Sequence, residues 1–227
     1  MEPEDGSHIL VRVGSVEYTI DVTKIPYFAA FASFQHSSGQ ESSSVPIHYE
    51  VPFFDVIQEG VKLGFRQFFR RMPKTLNYYR ALCEALGFLC IDVLSGRDIR
   101  MIMDDLKSGK SEWGPGERVS KTLARDSAFR LLYMFILTEF QSDITDSTLA
   151  YNATIFVISH PGIFKYSARA MVREAYEERF VVSANQHRQL ERWTLNDDGC
   201  DDDEAGCFTT ESEETQNDWN DIYFDSD

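Results

Sequence analysis

Ile9-Leu-Val-Arg-Val13, Gly14-Ser15 and Val16-Glu-Tyr-Thr-Ile20 follow one another directly in the chain. How these twelve residues are read decides the fold of the N-terminal half. The first five form a short β-rich run. Glycine and serine at 14 and 15 tolerate the positive φ of a two-residue hairpin turn. The next five alternate, with Val16, Tyr18 and Ile20 on one face. Two antiparallel strands joined by a tight turn are therefore expected over 9–20.

Working outward, residues 25–34 carry Tyr27, Phe28, Phe31 and Phe34 at helical spacing, and Pro26 is tolerated in a first turn. Residues 35–44 are a polar loop without a core residue. Val45-Pro-Ile-His-Tyr49 reads as a third strand, confined by Pro46 to an edge or a strand start. Phe54, Ile57, Val61 and Phe65 share one helical face, continued by Phe68, Phe69 and Met72. Gly60 and Gly64 predict a break within that stretch, and Pro73 its end. Leu76, Tyr79, Leu82, Cys83 and Leu86 define an amphipathic helix that Gly87 should close. Residues 88–94 add a short apolar turn or helix.

Residues 95–115 read as a boundary, because 107–116 has loop chemistry after a possible helix at 99–106. A buried central helix follows at 118–140, apolar on all sides between Leu131 and Leu137. Over 146–158 both helix and strand patterns occur, and the reading leans to helix. Residues 164–180 form an amphipathic helix with Arg169, Arg173, Glu177 and Glu178 facing water, and a last short helix covers 185–193. The fold class is α+β: a small sheet with helices over 8–95, an all-helical region over 96–195, and a tail over 196–227.

Charge sets the tail apart. Thirteen of the 37 acids and none of the 22 bases lie in 196–227, so the tail carries −13 and the other residues only −2. So many like charges with few apolar groups predict a disordered acidic tail. The 43% hydrophobic fraction supports a folded core in the remainder. The most apolar run, 128–137, is too short for a membrane span. No signal or transit peptide is visible, so a cytoplasmic or nuclear location is expected.

Catalytic and cofactor signatures are weak. Gly109-Lys110-Ser111 ends like a phosphate loop, but Asp104 stands where that motif needs a glycine, and its carboxylate would repel the ligand. There is no Gly-x-Ser-x-Gly elbow. His8, His36, His48, His160 and His187 are scattered. Cys83/Cys90 and Cys200/Cys207 have a six-residue spacing that is not a zinc spacing. A continuous helix would put Cys83 and Cys90 together on a buried face. Asp104-Asp105 reads as solvated surface. No enzyme activity, cofactor or metal is expected. Lys62, Arg66, Arg70, Arg71 and Lys74 form a basic stretch with no acid over 61–74. It is either a basic surface or the wet face of a helix whose phenylalanines are core. The slightly acidic body argues against direct nucleic-acid binding.

Val11-Arg-Val-Gly14, Val16-Glu-Tyr-Thr-Ile20, Ile25-Pro-Tyr-Phe28, Pro46-Ile-His-Tyr49, Phe53-Phe-Asp-Val56 and the segment from Ala81 to Leu94 occur in an order that resembles a BTB/POZ domain. The resemblance covers about residues 8–95. Lys121 to Phe140 is similar to the region after that domain in fungal BTB-type proteins. The resemblance implies protein partners and a homo-oligomer formed through an apolar patch at Tyr27, Phe28 and Phe31. It also implies cullin ubiquitin-ligase recruitment. Two departures matter. Asp21-Val-Thr-Lys24 stands near the place of the usual Ala-His-Lys segment. Gln35 to Ser44 also lacks the hydrophobic-x-Glu element of cullin adaptors, which weakens that last implication. The leading expectation is a non-enzymatic protein-interaction module that self-associates and recruits partners, with no membrane contact. The alternative is a transcription-associated regulator using Trp219, Ile222, Tyr223 and Phe224 of the acidic tail as an activation segment.

Overall fold

The computed structural model describes residues 7–37, 45–110, 117–138, 144–193 and 195. The acidic tail, positions 38–44 of the polar loop and the Ser111 position of the phosphate-loop-like motif lie outside the described residues, as does the pair Cys200/Cys207; positions 35–37, read as loop, are instead the last turn of a helix. The described residues belong to one compact unit within Met1–Asp197.

The chain begins as a mixed α+β fold. Strand β1 (His8–Val13) pairs antiparallel with β2 (Val16–Asp21), Val11 opposite Tyr18 and Val13 opposite Val16. Gly14 opens the turn at φ 61°, the left-handed conformation that glycine adopts without a Cβ penalty. Val11, Val13 and Ile20 point into the core, whereas Val16, at the turn, is half exposed. The third strand is shorter than the sequence suggests. β3 (Ile47–His48) lies parallel to β1 at the edge of a three-stranded sheet of order β2-β1-β3. It is held by Arg12 N–H to the Pro46 carbonyl at 2.8 Å and Gly14 N–H to the His48 carbonyl at 2.9 Å. The outer edge of β2 is engaged by the Gln58 side chain, which donates to the Thr19 carbonyl at 2.8 Å.

Helix α1 (Tyr27–Ser37) drives Phe28 into the core beside Phe54. Helix α2 (Phe54–Leu63) runs through Gly60 and ends at Gly64. The predicted break is therefore at the second glycine only. Gly60 is glycine for packing rather than for a break: the Phe68 ring lies so close that any Cβ would overlap it. Gly64 sits at φ 107°, ψ 150°, a conformation essentially reserved for glycine. After it come a 3-10 turn (Phe65–Gln67) and the single-turn helix α3 (Phe68–Arg71). Helix α4 (Leu76–Phe88) continues past Gly87, where a Cβ would make only ordinary contacts with Tyr133 and Leu137, and no stop is imposed. The chain turns only at Cys90, at φ 57°. Cys83 is therefore buried in α4 while Cys90 is exposed beyond it, so the two do not share a face.

The rest is helical: α5 (Ile99–Ser108), α6 (Glu117–Leu137), α7 (Ile144–Ile158), α8 (Tyr166–Arg179) and α9 (Ala184–Arg192). The ambiguous stretch before residue 158 is thus helix. Helix α6 is central, with Ala124, Ala128, Phe129, Leu131 and Leu132 fully enclosed. It packs on α5, α8, α4 and the 3-10 turn. Phe129 meets Phe68 at 4.6 Å and Phe65 and Phe69 at 5.9 Å, edge-on or tilted as ring quadrupoles prefer. This aromatic cluster joins residues 8–95 to the helices after residue 96, across the boundary read from sequence. Arg169 is buried on α8 rather than facing water. Asp105 is not plain solvated surface, because it binds Arg97 at 2.9 Å and accepts from the Ser127 hydroxyl at 3.1 Å. The Arg173–Glu177 pair is present at 3.0 Å.

Gly60 gives the first prediction. Alanine is favoured over glycine in a helix interior by about 1 kcal/mol, so an open site would be stabilised. Here the methyl would displace a fully buried phenyl ring, and overpacking costs about 1–3 kcal/mol. Gly60→Ala should therefore lower the urea midpoint, opposite to the propensity expectation.

Candidate functional site

The three aromatic residues singled out at 27–31 occupy different environments. Phe28 is fully enclosed and is a core residue, so it presents no surface. It is drawn inward by edge contacts to Phe54 at 5.5 Å and His48 at 5.6 Å. Tyr27 and Phe31, at i and i+4 on α1, stack at 6.2 Å and remain half-buried. His48, on β3, stands edge-on to both rings. Its Nδ1 lies 2.7 Å from the Tyr49 carbonyl, which can only accept, so this nitrogen carries the proton. Nε2 then accepts from the Tyr27 hydroxyl at 2.8 Å. Phe88, at the end of α4, closes on Tyr27 at 4.7 Å.

Around this half-covered cluster lie groups with almost no cover. Tyr49 is 91% exposed, Phe34 71%, Ile47 62% and Phe88 51%. Ile47 and Tyr49 stand on either side of His48 in the chain, and Phe34 is one turn beyond Phe31 on α1. Tyr27, Phe31, His48 and Phe88 form one aromatic cluster drawn from α1, β3 and the end of α4. Tyr49, Ile47 and Phe88 were missed in the sequence because each sits beside a polar or loop signal that reads as ordinary edge chemistry.

The basic stretch is divided by the fold. Its phenylalanines are core or near-core, as helical spacing predicts. Lys62 is exposed, Arg71 pairs with Glu59 at 2.8 Å, and Lys74 lies over the Tyr166 ring at 5.0 Å. Arg66 and Arg70 instead line a cleft together with Arg125 of α6 and Lys165 before α8. Sequence could place the first two on one face, but the other two arrive from 55 or more residues away.

Other chemistry does not converge. Among the described residues no group of three or more His, Cys, Asp or Glu could hold a metal ion. The Cys83 thiol is pushed up by burial and by the nearby Glu84 charge. Gly109 caps the end of α5 in ordinary right-handed geometry. No described helix is long and apolar enough to cross a membrane. No family model, no curated protein and no solved structure matches this chain.

Two predictions follow from burial. Native-state alkylation, mapped by mass spectrometry, should label Cys90 quickly and leave Cys83 unmodified until denaturant is added. The second concerns His160. Burial holds its imidazole below the ordinary range, assisted by the Lys110 charge and opposed by its 2.6 Å bond to the Phe156 carbonyl. The unfolded chain takes up a proton near pH 6.5 and the folded chain resists it. This group's contribution is therefore present at neutral pH and is lost as pH falls below about 6.5. Urea midpoints measured from pH 7.5 to 5.5 should fall less steeply for His160→Gln than for the wild type.

Proposed function

We propose that the chain is a non-catalytic protein-interaction module that self-associates through its N-terminal aromatic face. The observation that carries this reading is the cluster of half-buried Tyr27 and Phe31 with His48 and exposed Phe88, on elements that also expose Phe34 and Ile47. Leaving an aromatic cluster partly in water is unfavourable, and exposed apolar surface of this kind marks an interaction site. Aromatic side chains are also the groups that dominate interface energetics. The resemblance to BTB/POZ domains supports a second copy as the occupant, since in that family the corresponding patch makes homodimers. Tyr27 and Phe31 contribute through their outer edges, while Phe28 supports them from behind.

Sedimentation velocity over the micromolar range tests the reading. The wild-type protein should sediment as a dimer or larger species. Phe34→Asp combined with Tyr49→Asp should give a monomer with an unchanged far-ultraviolet circular dichroism spectrum, because both positions are exposed. A wild-type protein that stays monomeric at all these concentrations would sink the proposal. If the tail at 196–227 were instead the functional element, deleting it would abolish reporter activation while leaving association intact.

A further inference from the structure

Four aromatic side chains surround one imidazole where α1, β3 and the end of α4 meet. The His48 ring lies 5.0 Å from Phe31, 5.4 Å from Tyr27, 5.6 Å from Phe28 and 6.2 Å from Phe88, centroid to centroid. Both of its nitrogens are engaged in the neutral form. Nδ1 donates to the Tyr49 carbonyl and Nε2 accepts from the Tyr27 hydroxyl. A proton added at Nε2 takes up the lone pair that the hydroxyl uses, so Tyr27 must turn from donor to acceptor and a positive charge enters the cluster.

The groups around the ring do not compensate that charge. From α1 it is met by Tyr27, Phe28 and Phe31, of which only the tyrosine titrates, and from α4 by Phe88. Across the sheet Val13 of β1 stands opposite His48. Arg12, one place along, is a cation already paired with Glu17. Exposed Glu50 follows two residues after His48, yet among the described residues no carboxylate forms an ion pair with the imidazole. A second copy seated on the cluster takes the ring out of water. A neutral imidazole with both nitrogens hydrogen-bonded is covered at little cost, whereas an unpaired charge is not. In a two-fold contact the same patch is buried on both subunits, so the penalty on a charged His48 is incurred twice.

We propose that His48 makes self-association through this face pH-dependent: two copies join while the imidazole is neutral and separate when it takes up a proton. The inference rests on the self-association reading above and adds its regulation. Its sign follows from linkage. A histidine ordinarily gains its proton near pH 6.5. The associated state resists that proton and the free state accepts it, so association is fully present above that range and is lost as pH falls through it. Two protons at most are taken up per separating pair, which limits the change in Kd to about a hundredfold for each pH unit.

Sedimentation velocity of the full chain at pH 7.5, 6.5 and 5.5 and constant ionic strength tests it, with circular dichroism confirming that the fold is kept at each pH. The wild-type Kd for self-association should rise about tenfold or more from pH 7.5 to 5.5. His48→Gln keeps a polar side chain and His48→Phe keeps a ring, and neither titrates in this range. For both, Kd should change less than about threefold over the same interval. His36→Gln on α1 and His187→Gln on α9 should retain the wild-type response. Dilution calorimetry of the wild type at pH 6.5, in two buffers of different ionisation enthalpy, counts the protons without any variant and should show net uptake as the copies separate. If neither His48 variant associates, that count decides. A wild type that is monomeric at every pH overturns the inference together with the self-association reading. Association of unchanged strength at all three pH values overturns the inference alone. So does a pH response that survives in both His48 variants, or separation without net proton uptake.

Discussion

Phe68 is held on two sides. Its ring lies against the backbone of Gly60 in α2 and meets the Phe129 ring of α6 at 4.6 Å. Neither neighbour can give way easily, because one is a helix backbone and the other is fully enclosed. Much of the architecture follows from this contact. With Phe68 turned inward, the chain between α2 and α3 must reverse within a few residues, and Gly64 supplies the backbone conformation that permits it. Asp126, one turn before Phe129 on α6, then lies within reach of the Arg66 amide and ties the reversal to the central helix. The same inward rotation leaves Arg66 and Arg70, four residues apart, at the cleft beside Arg125 and Lys165. A packing contact in the core thus positions a charged group on the surface.

Tyr27 and His48 play a comparable part at the other candidate surface. Phe28 takes the fully buried place on α1, and its neighbours are consequently left at the rim. The bond from the Tyr27 hydroxyl to His48 Nε2 fixes the histidine ring between the aromatic side chains, and the Tyr49 carbonyl fixes its tautomer. The rim is therefore an ordered surface rather than a set of loose side chains, and an ordered surface loses less entropy when a partner covers it.

The hairpin was legible because two local signals agree: alternation in 16–20 and a glycine at the turn. The helices were legible where apolar residues recur at helical spacing, as in 75–86 and 164–180. What escaped the sequence was governed by contacts from afar. Gly87 carries a stop signal, yet α4 continues because nothing near it requires a turn. Gly60 carries a break signal, yet it is glycine because a ring eight residues later leaves no room for a Cβ. Arg169 resembles a solvated charge but is enclosed by tertiary packing. The cleft was half legible. Arg66 and Arg70 stood out as bases on one helical face, but Arg125 and Lys165 join them only once α6 and α8 are in place.

Both margins of the small sheet are blunted. On one side β3 contributes only two residues. On the other, the Gln58 amide already engages the Thr19 carbonyl of β2. A strand arriving from another chain would find few free backbone groups in register on either side, and long unguarded margins are what allow sheets to add to one another without limit. Growth by sheet addition is thereby hindered at both margins, so the sheet is built to be a closed unit of this fold rather than a template for further strands.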